Sequence, residues 1–296
     1  MSYFSSEDKC RQAIVESRWG DGNVICPYCG RHHCYKRNDG KYRCPECSRN
    51  FSCLVGTIFQ DTKLPLCFWF VGIYMISSHK KGISSRQLAR DLNISKHTAW
   101  RMLGKIRELF AQSYEEQFEG IVECDEVYIG GKERWKHKSM RTFHAQGRST
   151  KTKTPVFGMM HRARIRNKKG KWENMSYVRA FVVENTNKDT LLPIIEQFVA
   201  GGSTIMTDEL HAYHGLPSLG YIHRIVTHGA EQYVEGDVST NHIECFWSHL
   251  RRMITGCYHN VSKKYLQSYV DEAVYRWNTR KMSERGRLTR LIESVK

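Results

Sequence analysis

The sequence lacks an apolar run long enough to cross a bilayer. The longest, LPLCFWFVGIYMIS from Leu64 to Ser77, falls well short of the roughly 20 residues that a spanning helix needs, so we expect a buried helix there. The opening stretch, MSYFSSEDKCRQAIVESRWG, is polar and has no apolar core of a secretory signal. Both absences argue against a membrane or exported protein and predict a cytoplasmic one.

Acidic residues are scarce relative to basic ones. The chain has 30 Asp and Glu against 46 Lys and Arg, a formal charge of +16, which favours a polyanionic partner such as nucleic acid over a merely soluble basic protein. The deficit is concentrated in residues 132–173, which contain fourteen Lys or Arg and only Glu133 and Glu173 as acids. We expect the basic block from Lys132 to Lys171 to bind phosphates without reading base sequence.

Four of the eleven cysteines have a metal-ligand spacing. Two CPxC turns are separated by fourteen residues, which allows four thiolates to reach one tetrahedral zinc ion; they are Cys26, Cys29, Cys44 and Cys47. Because four thiolates leave no open coordination position, the predicted zinc is structural. His32, His33 and Cys34 are alternative ligands within the intervening hairpin. Many cysteines without an export signal also indicate a reducing compartment.

The segment GISSRQLARDLNISKHTAWRMLGKIRELF predicts two helices with a break at Leu92 to Ser95. Ser84 or Ser85 can cap the first helix, and Ser95 can cap the second. This arrangement is typical of a helix-turn-helix whose second helix enters a major groove. The residues expected to contact DNA are Lys96, His97, Arg101 and Lys105. The alternative is a plain helical hairpin with a basic face.

After Gly120 the pattern becomes extended. GIVECDEVYIGG predicts a strand and turn, PVFGMMHRARI and SYVRAFVVE predict two more strands, and the basic run from Arg162 to Lys171 is expected to be their hairpin. A helix near Thr190 to Val199 and a short strand ending at Asp208 follow. This order predicts an α/β fold of the ribonuclease-H-like class.

The stretch TNHIECFWSHLRR, residues 240–252, predicts a helix with two faces. One stripe is polar and should face an active site, and it consists of Asn241, Glu244, Ser248 and Arg251. The other stripe is apolar and should pack on the sheet, and it consists of Ile243, Phe246, Trp247, Leu250 and Ile254.

Three acids are spaced as a two-metal centre requires. Thirty-five residues lie between Asp208 and Glu244, and Asp125 lies within the first predicted strand. Two Mg²⁺ or Mn²⁺ ions about 4 Å apart need carboxylates that hold both of them during phosphoryl transfer. We expect Asp125 to bridge the ions, Asp208 to bind one and Glu244 the other. Arg251, on the same stripe as Glu244, would hold a DNA phosphate.

These segments together resemble the zinc-ribbon-bearing DDE transposases of bacterial insertion sequences, the ISXO-like group. The likeness runs from about Arg18 to Arg280, and its motifs are CPYCG, YRCPEC, NFSCLVGTIF, KKGISSRQLARDLNISKHTAWRML, DEVYIGGKE, TDEL and NHIECFWSHLRRMITGCYHNVSKKYLQSYVDEAVYRWNTR. It implies a Mg²⁺-dependent endonuclease and strand transferase that acts on terminal inverted repeats, in the bacterial nucleoid and as a homodimer or higher oligomer on DNA. Asp125 and Asp208 match the first two catalytic acids. The resemblance favours Asn241 as the third catalytic residue. The 35-residue spacing from Asp208 and the negative charge of a carboxylate favour Glu244 instead. Arg251 stands where the group has a lysine.

The expected domains are a helical lead (1–18), a zinc ribbon (19–56), a helix-turn-helix region (57–120), a ribonuclease-H-like catalytic domain (121–281) and a basic tail (282–296). Two other functions remain open at this point. One is a transposase relic that binds DNA without chemistry, against which the intact acid set argues. The other is a nuclease that cuts DNA but does not join it.

Overall fold

The computed structural model describes residues 6–111, 116–131, 136–143, 149–166, 169–226 and 239–295. The chain divides into two compact units, one formed by Met1–Ala111 with Lys281–Lys296 and the other by Gln112–Arg280. Among the described residues, no helix is long and apolar enough to cross a membrane. The predicted basic block lies partly outside the described residues.

The first unit begins with helix α1 (Glu7–Trp19), followed by a small antiparallel sheet of three two-residue strands. These are β1 (Tyr35–Lys36), β2 (Tyr42–Arg43) and β3 (Asn50–Phe51). Trp19 of α1 packs edge-on against Tyr42 and Phe51, with ring centroids 5.1 and 6.3 Å away. Three aromatic rings therefore supply most of the apolar packing beside the cysteines, which is little for a segment of this length.

Three helices follow the sheet: α2 (Leu66–Ser78), α3 (Ser85–Asp91) and α4 (Lys96–Glu108). The predicted break and caps are confirmed, since Ser84 Oγ accepts from Gln87 N and Ser95 Oγ accepts from Thr98 N. Leu88 of α3 and Leu103 of α4 are buried, as expected for the inner angle of a helical pair.

The end of the chain is helical rather than a simple basic tail. Residues 284–293 form α8 (Glu284–Glu293), which begins at the capping residue Ser283 and packs on α1 and α2 of the same unit. Leu291 is buried, and Ser17 of α1 donates to the carbonyl of Ile292 at 2.7 Å. Apolar residues at helical spacing within the basic segment account for this packing.

The second unit is built on a five-stranded mixed sheet in the order β6-β5-β4-β7-β8. Its strands are β4 (Ile121–Gly130), β5 (Lys153–Arg166), β6 (Trp172–Val182), β7 (Thr204–Thr207) and β8 (Ile222–Ile225). β4, β5 and β6 are antiparallel neighbours, whereas β4, β7 and β8 are parallel. The predicted hairpin is confirmed, because β5 and β6 are antiparallel and the basic run joins them, with Arg162 to Arg166 still paired as the end of β5. Cross-strand pairing lets these basic residues continue the strand.

Helices cover both faces of this sheet. On one face, α5 (Lys188–Phe198) buries Leu191 and Ile195 with Val122 and Cys124 of β4. On the other face, α6 (Asn241–Met253) and α7 (Leu266–Asn278) pack over Val127 and Ile129. Alternate residues of β4 therefore face opposite layers. A mixed α/β unit is confirmed.

Candidate active site

Three carboxylates meet where β7 ends beside the middle of β4. Asp125 and Glu126 of β4 and Asp208, which directly follows β7, each have a carboxylate oxygen within 4.8 Å of the others. β4 and β7 are parallel, and Glu123 is paired with Met206, so Asp125 and Asp208 lie two residues further along neighbouring strands. The structure thus brings together the acid that the sequence placed within the first strand and the acid that it placed at the end of a later one. Oxygen ligands this close suit Mg²⁺ or Mn²⁺.

Glu126 was missed by the sequence reasoning. Side chains alternate along a strand, so an acid next to Asp125 is expected to face the opposite layer. Glu126 still reaches the cluster, because Asp208 lies beyond the end of β7. The hydroxyl of the buried Tyr213 donates to Glu126 and fixes its carboxylate. The DE pair in DEVYIGG was the available signal.

The surroundings of Asp125 disfavour the ionised form of its carboxylate. Burial, together with the charges of Asp208 and Glu244, raises the pKa of Asp125 to about 6. Hydrogen bonds from the backbone N–H of Glu126 and from the Trp247 indole act in the opposite direction. A divalent cation at the cluster would offset the repulsion, and the donor set therefore fits such an ion.

The two-faced helix is observed as predicted. Asn241, Glu244, Ser248 and Arg251 are all exposed along α6, whereas Ile243, Phe246, Trp247, Leu250 and Ile254 are buried. The Thr240 hydroxyl donates to Glu244 Oε1 at 2.9 Å. Glu244 is not a member of the three-carboxylate cluster, although its charge contributes to the raised pKa of Asp125. Its role as third ligand stays a prediction, as does that of Asn241.

A buried acid anchors the start of α6. Glu123 is fully buried and accepts from the backbone N–H groups of His242 and Ile243 at 3.0 and 2.9 Å. Its other contacts are His242 Nδ1 at 2.8 Å and Arg162 Nε at 2.6 Å. A carboxylate on the first turn complements the helix dipole and satisfies its unpaired N–H groups. Glu123 thereby fixes the polar stripe of α6 relative to β4.

The four predicted zinc ligands converge in the first unit. Their sulfur atoms lie within 4.8 Å of one another, with Cys26 and Cys47 separated by 3.7 Å and Cys29 and Cys44 by 3.5 Å. Tetrahedral zinc with Zn–S bonds of about 2.3 Å requires sulfur atoms about 3.8 Å apart, so the arrangement fits. The alternative ligands have other contacts: Cys34 Sγ donates to the Arg31 carbonyl, and His32 Nδ1 contacts Asn23.

The predicted DNA-contacting residues share one side of α4. Lys96, His97, Arg101 and Lys105 are exposed, whereas Ala99, Met102 and Ile106 are buried. Trp100, which the sequence reasoning passed over, is also 44% exposed on this side, with its ring stacked on His97.

Comparison with known proteins agrees with this arrangement. Residues 117–278 match the ISXO2-like transposase domain, and residues 5–50 match the transposase zinc-ribbon domain. The chain belongs to the ISXO2-like transposase family. The transposase-domain match spans the mixed sheet and the three carboxylates, and the zinc-ribbon match includes α1 as well as the four cysteines. The predicted family resemblance is confirmed.

Two relatives carry names from mobile elements. An uncharacterised protein in transposable element ISH50 of Halobacterium salinarum is 28% identical over 285 residues, covering 90% of this chain and 89% of its own length. An uncharacterised transposase-like protein of Haemophilus influenzae is 30% identical over 101 residues, covering 34% of this chain and 80% of its own.

Proposed function

We propose that this protein is an active transposase that binds the terminal inverted repeats of an insertion sequence, cuts the DNA strands and joins the freed ends to a target. The observation that carries the proposal is the cluster of Asp125, Glu126 and Asp208 within a domain of the ISXO2-like transposase family. We assign that domain to the ribonuclease-H-like class, because its mixed sheet has acids on two adjacent parallel strands, Asp125 within β4 and Asp208 directly after β7.

Each acidic residue has a distinct task in this proposal. Asp125 and Asp208 hold Mg²⁺ or Mn²⁺, and Glu126, oriented by Tyr213, contributes a third carboxylate. When bound, the metal ions supply charge stabilisation for the attacking and leaving oxygens of the phosphodiester. Glu123 takes no part in chemistry but keeps the start of α6 against β4.

The polar stripe of α6 is the surface that meets DNA beside the acids. Glu244 brings a further negative charge near Asp125, and Asn241 lies one turn earlier on the same stripe. Arg251, two turns along, binds a backbone phosphate and holds the scissile strand near the carboxylates. An arginine gives this contact a planar, two-pronged geometry that a lysine lacks.

The first unit supplies DNA recognition in this proposal. α3 and α4 act as a helix-turn-helix, with Lys96, His97, Arg101 and Lys105 against the DNA, and the zinc ribbon is a structural support. The positive charge of the chain assists binding to phosphates. A homodimer or larger assembly on DNA would bring two element ends together.

The decisive experiment uses a plasmid that carries the DNA flanking this gene, with its terminal repeats, as substrate. Wild-type protein in Mg²⁺ should cut the repeat ends and join them to target DNA. Asp125→Asn should bind the ends normally and lose cleavage by about 100-fold or more, because it removes one charge from the metal site. Asp189→Asn, an exposed acid at the start of α5, is the matched control and should keep full activity.

The outcomes separate the competing functions. Wild-type protein that binds the ends without cutting them would indicate a DNA-binding relic. Cutting without joined products would indicate a nuclease. Equal activity in Asp125→Asn and wild type would refute the assignment of this cluster.

A further inference from the structure

The buried face of α6 contains a polar group that touches the carboxylate cluster. Trp247 is only 3% exposed, and its indole Nε1 donates to Oδ2 of Asp125 at 3.0 Å. An indole offers a single N–H, and leaving that donor unpaired inside a protein is unfavourable. Ring and carboxylate therefore restrict each other's orientation. A carboxylate has about four acceptor sites, so the indole leaves others for a cation.

Gly158 explains how the indole reaches Asp125. It is the cross-strand partner of Asp125 on β5. A Cβ at this position would lie 2.5 and 2.6 Å from Cη2 and Cζ2 of Trp247, and 3.1 Å from Cδ1 of Ile243. The ring thus occupies the space that any side chain would fill. Glycine weakens a strand interior and often marks a close approach, and here the approaching group is an indole.

We propose that Trp247 is a positioning residue for the metal centre. Through its N–H it keeps the Asp125 carboxylate turned toward Glu126 and Asp208, and the absence of a side chain at Gly158 admits its ring. The inference rests on the proposed function, since it assumes that these acids bind a divalent cation. Hydrogen-bond partners of metal ligands commonly contribute about 10- to 100-fold to metal affinity.

The competing explanation is that Trp247 only fills the core between α6 and the sheet. It packs within the apolar cluster of α6, α7 and β4, so a smaller side chain would also lose packing. The two explanations differ in one atom group. A packing role needs the shape of the ring, whereas a positioning role needs its N–H.

The test replaces that group and little else. In the full-length chain, Trp247 is exchanged for benzothienylalanine, which has sulfur in place of the N–H and nearly the same shape, and in parallel for Phe. Mn²⁺ binding is measured by calorimetry, and the melting temperature is measured with and without Mn²⁺. We expect both replacements to raise the Kd for Mn²⁺ about 10-fold. The benzothienyl variant should melt near the wild-type temperature without metal.

A matched control and a second measurement separate the explanations. Trp277 of α7 donates its Nε1–H to Ser176 Oγ at 3.3 Å, so Trp277→Phe removes an indole N–H elsewhere in the unit and should leave the Kd unchanged. In the wild-type chain labelled with ¹⁵N, Mg²⁺ should shift the indole resonance of Trp247 more than that of Trp277.

Each outcome bears on the proposal. A benzothienyl variant that binds Mn²⁺ within twofold of wild type would overturn it and leave the proposed function intact. If Trp247→Phe does not fold, the benzothienyl variant and the Mg²⁺ titration still decide. Wild-type protein that binds no Mn²⁺ would remove the proposed function, and this inference with it.

Discussion

At the scale of single residues, three side chains compete for the third position of the proposed metal site. The residue spacing from Asp208 and the charge of a carboxylate favour Glu244, whereas the family resemblance favours Asn241. The carboxylate cluster adds Glu126 as a third candidate. We predict that Glu244→Gln lowers cleavage of a labelled terminal repeat by about 100-fold, because it removes a charge beside two divalent ions. Asn241→Ala should cost less, since an amide oxygen binds these ions more weakly. Folding and end binding should stay near normal.

The comparison should be made in both Mg²⁺ and Mn²⁺, with Glu126→Gln as a third variant. An inactive Asn241→Ala beside an active Glu244→Gln would show that α6 presents its amide to the metals. An inactive Glu126→Gln beside an active Glu244→Gln would assign the third position to β4. Circular dichroism of all three variants controls for misfolding.

The same residues show what the sequence could and could not predict. Asp125 and Asp208 were predictable as a pair, because Asp125 lies within one predicted strand, Asp208 ends another, and both match acids of the family that the sequence resembles. Glu123 was not, and the DE pair in DEVYIGG was the only signal for Glu126. Glu126 reaches the cluster only because β7 ends before Asp208. The hydrogen bonds of Glu123 depend on where the N-terminus of α6 meets β4. Such contacts depend on tertiary distances that no local pattern contains.

At the scale of elements, local sequence patterns predict where helices begin better than they predict where strands end. The serine caps placed α3 and α4 correctly, because a cap satisfies N–H groups within its own turn. β5 extends into the basic run, because pairing with β6 determines its length. The basic chain end likewise becomes α8 through packing on α1 and α2.

We expect the exposed side of α4 to contact DNA. Arg101→Ala should weaken binding to a duplex carrying the terminal repeat by about 1–3 kcal/mol if it contacts a base, with a smaller loss on random duplex DNA. Arg285→Ala, an exposed arginine of α8, removes the same charge and should change neither affinity by more than twofold. Fluorescence anisotropy at two salt concentrations measures both. If the two variants lose the same affinity for the terminal repeat, α4 binds DNA only as a nonspecific basic surface.

At the scale of the whole molecule, the division into two compact units predicts that one unit can unfold while the other stays folded. The small β1-β2-β3 sheet has few buried apolar residues, so zinc should supply much of its folding free energy, whereas the mixed sheet of the second unit has a core on both faces. Damage to the four-cysteine site should therefore unfold the ribbon and leave the second unit intact. The purified wild-type chain should contain one zinc.

Cys44→Ser tests this separation, because it removes one of four thiolates from the zinc site. We expect metal analysis to show less than one zinc per chain, hydrogen exchange to rise across residues 19–56, and binding to the terminal repeat to fall. Exchange across residues 121–280 should stay at the wild-type level. Cys34→Ser is the control, because Cys34 is buried beside the cluster but outside it, and this variant should retain its zinc. Zinc loss from Cys34→Ser would show that the ligand set includes that thiol, and wild-type protein without zinc would refute a metal-dependent ribbon.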